Sequence, residues 1–118
     1  MIKTVSKQTT ISKDISLKGV GLDTGKEVTL SFKPAEVNNG YEFQRIDLEG
    51  NPIIEADVNY VTNTQRGTCL EKNGVTIQTC EHVLAALVGL DIDNVIIALN
   101  ESEPPIMDGS SKFFIEAL

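Results

Sequence analysis

The chain contains one histidine, His82, directly preceded by Glu81 in the stretch 79-TCEHVLAALVGLDIDN-94. An imidazole beside a carboxylate can act as a metal ligand with a base next to it, or as an acid-base pair. Each residue also has a plainer reading: the helix macrodipole favours a carboxylate in a first helical turn, and a histidine there can simply be polar. A catalytic zinc takes three protein ligands and leaves one position for water, with a carboxylate nearby to accept that water's proton. Glu81 and His82 would supply one ligand and the base, and no more. The two cysteines do not complete the set. Cys80 points away from His82 by roughly 160° around a helix and reads as a buried structural thiol, and Cys69 reads as a small core residue on a strand.

Two other stretches have chemical potential. The segment 19-GVGLDTGK-26 has the glycine density of a phosphate cradle with a lysine at its end. A nucleotide loop needs a strand before it and a helix after it, whereas strands flank this one on both sides, so a hairpin turn is the stronger reading. The loop 103-EPPIMDGSS-111 offers acids and serines, but also reads as a proline-stiffened connection with Asp108-Gly109 as a turn and Ser110 or Ser111 as the next N-cap.

These residues need elements to hold them. Up to Asn73 the pattern is β: TTISKDISLKGVGL, 27-EVTLSFKPA-35 and 41-YEFQRIDL-48 are rich in β-branched and aromatic residues. Turns at 23-DTG-25, 38-NNG-40 and 49-EGNP-52 separate the segments. In 66-RGTCLEKNGVTIQT-79, Asn73-Gly74 predicts a tight hairpin. From Thr79 the period changes: Cys80, Val83, Leu84, Leu87 and Val88 form one face of a helix, with Thr79 as expected N-cap and Gly89 as expected C′ residue. On this wheel His82 lies opposite the apolar stripe, beside Ala85, Ala86 and Gly89. Small uncharged residues there predict a further layer packing on the helix. The run 94-NVIIALN-100 suits a strand buried on both faces, and 112-KFFIEAL-118 a short helix without a capping residue at its end. The expected architecture is α+β, a mostly antiparallel sheet packed on one face by one main helix and a short C-terminal helix.

Composition narrows the class. At 118 residues, the length suits one domain able to bury a core without staples. A net charge of −7 with no basic run argues against nucleic acid or an anionic membrane surface as partner. No signal-like or bilayer-length apolar stretch is present, and the two cysteines read as reduced thiols, so a cytoplasmic location without membrane insertion is expected.

GVGLDTGKEVTLSFKPA, RGTCLEKNG, TCEHVLAALVGLDIDN and PPIMDGS resemble, in order and spacing, the amino-terminal domain of the UDP-3-O-acyl-N-acetylglucosamine deacetylase (LpxC) family. The resemblance covers nearly the whole chain, 1–118, and about the first half of that deacetylase; DLEG resembles the branch that can be fused to a hydroxyacyl-carrier-protein dehydratase. It implies a zinc amidase of lipid A synthesis in Gram-negative bacteria, with His82 a zinc ligand and Glu81 the general base for zinc-bound water attacking the substrate's acetamide. The remaining ligands are expected from a second domain of the same polypeptide, which this chain lacks. The two domains would sandwich their helices between their sheets, and the chain alone would be inactive. Arg66, Gly67 and Thr68 would border the cleft. One departure stands in the glycine-rich turn: many members carry histidine where this chain has Asp23, and a carboxylate there would oppose an anionic diphosphate.

Two competing readings predict different behaviour. A non-catalytic module docking a partner through Ala85, Ala86 and Gly89 would be indifferent to His82→Ala, and a phosphate-binding domain would depend on Lys26.

Overall fold

The computed structural model describes residues 8–64 and 67–118. Strands β1 (Ile15–Val20) and β2 (Glu27–Pro34) form a hairpin around the glycine-rich turn, as expected, with no helix after it. β2 alternates cleanly: Val28, Leu30 and Phe32 are buried, while the residues between them lie at intermediate depth. β3 (Tyr41–Arg45) follows the Asn38–Gly40 turn, in which Asn38 and Gly40 take left-handed φ values of 68° and 67°. β4 (Ile53–Glu55) returns antiparallel to β3.

After a short 3-10 helix at Val58–Tyr60 come β5 (Val61–Thr64), β6 (Gly67–Lys72) and β7 (Val75–Ile77), a separate three-stranded antiparallel sheet. The β6–β7 hairpin closes on Asn73-Gly74, with φ values of 52° and 79°. Both values are positive, as the hairpin turn read from the sequence requires. Helix α1 (Glu81–Gly89), strand β8 (Val95–Leu99) and helix α2 (Lys112–Ala117) complete the chain.

The larger sheet runs β1-β2-β8-β3-β4. β8 inserts between β2, to which it is antiparallel, and β3, to which it is parallel. This central position explains its unbroken apolar run: Val95, Ile97, Ala98 and Leu99 are all buried. Register aligns Ile15, Phe32, Ile97, Phe43 and Ile54 as one row across the five strands. Phe32, Ile97, Phe43 and Ile54 of that row join Val83, Ala86 and Leu87 of α1 and Phe114 of α2 in one buried cluster. Phe114 meets Phe32 edge-on, with ring centroids 6.4 Å apart. Arg45 Nη1 donates to the Thr76 carbonyl at 2.9 Å, and Lys72 Nζ lies 2.9 Å from Glu55 Oε2; both tie the small sheet to the large one.

The α+β class with mostly antiparallel pairing and two helices agrees with the sequence reading. Two points differ. There are two sheets rather than one, and the larger is mixed, because β8 crosses over to pair with strands far away in sequence. No helix among the described residues is long and apolar enough to cross a membrane.

Candidate functional site

Helix α1 starts without the expected cap. Thr79 takes a left-handed φ of 52°, and Cys80 holds the N-cap position with no side-chain cap bond. A β-branched residue in that region is strained. The helix is anchored instead on β6: the Cys80 N–H donates to the Thr68 carbonyl at 2.9 Å, and the Cys80 thiol donates to the same oxygen at 3.3 Å. At the other end, Gly89 is still helical. Asp91, with φ 56°, takes the left-handed position expected of Gly89. The Asp91 N–H bonds to Val88 O and the Ile92 N–H to Leu87 O at 3.0 Å, a Schellman ending fixed by the two buried side chains Leu87 and Ile92.

The buried face of α1 also differs from the wheel. Ala86 is fully buried and Val88 is 63% exposed, the reverse of the expectation. α2 packs against α1, and Ala86 shares the buried cluster with Phe114 of α2. Ala86 lies only about 40° from His82 on a helix of 3.6 residues per turn, so His82 sits on the flank of the buried face, half-buried, rather than opposite it. The expected docking face of Ala85, Ala86 and Gly89 therefore loses Ala86; Ala85, Val88 and Gly89 are the exposed positions of α1.

In the first turn, the Glu81 carboxylate lies against Gly67 at the start of β6. A Cβ on Gly67 would clash with Glu81 Oε2 and stand 2.9 Å from Oε1 and 3.0 Å from Cδ. Gly67 also has φ 106°, so both its missing side chain and its backbone require glycine. Glu81 Oε1 is buried and has no hydrogen-bond partner among the described residues. A buried carboxylate oxygen is rarely left this way. The structure thus brings Glu81, Gly67 and Thr68 together, with His82 next on the helix. Arg66 lies outside the described residues.

Cys69 and Cys80 are both buried. Burial, then the neighbouring Cys69 and Glu81, push the Cys80 thiol up to about 12. It stays protonated at neutral pH. Among the described residues no group of three or more His, Cys, Asp or Glu side chains could hold a metal ion. Glu81 and His82 are two donor-bearing neighbours, too few to hold a metal ion by themselves.

One residue escaped the sequence reading. Glu103 is fully buried, its Oε1 accepting the N–H groups of Asp23 at 3.0 Å and Thr24 at 3.1 Å. The glycine-rich turn does cradle an anion, but the anion is a carboxylate of the chain itself. The cradle-like composition was the signal; a glutamate eighty residues away was not a visible occupant.

Two sheets and two helices thus form an α+β unit in which the start of α1 carries a buried carboxylate oxygen of Glu81, with His82 next to it in the chain. The family model for UDP-3-O-acyl N-acetylglycosamine deacetylase (LpxC) matches residues 8–118, and the chain belongs to that family. It is 50% identical over 112 residues to a bifunctional LpxC/FabZ enzyme of Bacteroides thetaiotaomicron, covering 95% of the chain and 24% of that protein. It is 51% identical over 111 residues to the bifunctional LpxC/FabZ enzyme of Chlorobaculum tepidum, covering 94% of the chain and 24% of that protein. To the UDP-3-O-acyl-N-acetylglucosamine deacetylase of Psychrobacter sp. it is 45% identical over 112 residues, 95% of the chain and 38% of that enzyme. The chain therefore spans well under half the length of these relatives.

Proposed function

We propose that the chain is the amino-terminal part of a zinc-dependent amidohydrolase that removes the N-acetyl group from UDP-3-O-acyl-N-acetylglucosamine in lipid A biosynthesis, in the cytoplasm of a Gram-negative bacterium. Family membership and the names of the relatives support the substrate class. The observation that carries the chemistry is the buried, unpartnered Oε1 of Glu81 beside His82. When bound, zinc supplies a Lewis acid that polarises an amide carbonyl and lowers the pKa of water.

In this reading Glu81 receives the proton of the attacking water at Oε1 and His82 contributes an imidazole nitrogen to the metal. The close backing of Gly67 holds the carboxylate in one orientation. A second domain of the same polypeptide supplies the remaining ligands, so the chain alone is inactive. That domain covers the exposed Ala85, Val88 and Gly89 side of α1. The bifunctional relatives support a downstream dehydratase domain as a further part of the same polypeptide.

The test is deacetylation by the complete polypeptide, with Glu81→Ala and His82→Ala as variants. Losing the base costs about 10²- to 10⁴-fold in rate, and His82→Ala also lowers zinc content. Normal turnover and metal content in both variants sink the assignment.

A further inference from the structure

We propose that Glu103 is a positioning residue for this site: it locks the Gly21–Thr24 turn so that Asp23 braces Thr79 and thereby aims Glu81. The inference rests on the reading of Glu81 as base.

Glu103 is 0% exposed, an expensive place for a carboxylate, and among the described residues no cation forms an ion pair with it. The nearby lysine, Lys26, lies instead 4.0 Å from Glu101. The Glu103 charge is met by main chain: Asp23 N–H at 3.0 Å from Oε1 and 3.2 Å from Oε2, and Thr24 N–H at 3.1 Å from Oε1. Successive backbone N–H groups converging this way form an anion nest. Gly21 keeps it open, since a Cβ there would stand 2.5 Å from Glu103 Oε1.

The nest lies next to the start of α1. The residue before Glu103, Ser102, accepts the Gln78 N–H on its carbonyl at 2.7 Å. On the other side the Thr79 hydroxyl donates to Asp23 Oδ2 at 3.4 Å. Gln78, Thr79, Asp23, Glu103 and Ser102 thus close a ring around the residue with φ 52° that turns the chain into the helix. A β-branched residue persists in that region only where its surroundings hold it. Releasing the turn lets Thr79 relax toward extended backbone and carries Glu81, two residues on, away from Gly67. Asp23 is in this way a brace for the helix start.

The experiment uses the complete polypeptide with Glu103→Gln, Asp23→Ala and the double variant. Each single change is expected to lower kcat by about tenfold with KM unchanged. The double variant falls no further, because both act through one path. Effects on KM alone, or effects that multiply in the double variant, overturn the proposal. Amide hydrogen exchange gives a readout independent of turnover: Asp23 and Thr24 are protected in the unmutated protein and lose about a hundredfold protection in Glu103→Gln. Rapid exchange at both amides in the unmutated protein overturns the latch. If Glu103→Gln fails to fold, Asp23→Ala still decides, since its backbone N–H remains in the nest and unchanged kcat refutes the brace. If Glu81→Ala leaves deacetylation intact, the functional reading falls, while the exchange pattern still judges the latch.

Discussion

Gly67 and Glu81 are packed so closely that a methyl group on Gly67 would lie 2.9 Å from Glu81 Oε1. The glycine comes from the first residue of β6 and the carboxylate from the first turn of α1, and the Thr68 carbonyl pins the two elements together. Gly67→Ala must therefore displace the carboxylate, and it also meets a φ of 106°. A displacement of about an ångström at a reacting group costs on the order of a hundredfold in rate. Kinetics of the complete polypeptide should show a fall in kcat larger than the accompanying drop in melting temperature explains.

Cys80 is predicted to be inert as a ligand and to shape the alkaline limit of stability. Its thiol ionises near its ordinary 9.0 when unfolded and at about 12 when folded. The folded state therefore holds the proton more tightly, and stability present below 9.0 is lost progressively as pH rises towards 12. Denaturant titrations between these values should show a flatter decline for Cys80→Ala. Zinc content of the complete polypeptide should be unchanged by that substitution.

The acid limit has a different source. Arg45, 8% exposed at its side chain, donates to both Asp47 oxygens, through Nε at 2.9 Å and Nη2 at 2.6 Å. The hydrogen bonds from Arg45 hold the Asp47 carboxyl below its ordinary value. That stabilisation is complete above the unfolded carboxylate range and is lost as pH falls through the lowered value. Asp47→Asn should weaken the protein near neutral pH and remove part of the decline on acidification, measured as unfolding midpoints along a pH series.

Ala86 and Val88 separate packing from docking. Ala86→Arg forces a large charged side chain into a fully buried position and should unfold the domain, a cost of several kcal/mol. Val88→Arg, on a residue 63% exposed, should change stability by less than about 0.5 kcal/mol. If a second domain covers this face, Val88→Arg should still cut activity of the complete polypeptide; thermal unfolding together with turnover checks both expectations.

Phe114 closes the helical layer onto Phe32. Phe114→Ala should cost about 3–5 kcal/mol, a large fraction of a small domain's stability, visible as a shifted denaturation midpoint.

The local sequence determined much of this protein. The alternation in 27-EVTLSFKPA-35, the Asn73-Gly74 turn, the doubly apolar 94-NVIIALN-100 and the helical period after Thr79 all act through interactions within a few residues. The Glu81-His82 pair was legible for the same reason, as two chemically distinctive neighbours at a helix start. Only the tertiary structure decided that β8 lies between β2 and β3, that Ala86 is buried and Val88 exposed, and that Cys80 rather than Thr79 begins the helix. It alone placed Glu103 in the Gly21–Thr24 turn and Gly67 under Glu81. These contacts join residues 14 to 80 positions apart. Their strength depends on where whole layers come to rest, a property that no single segment carries.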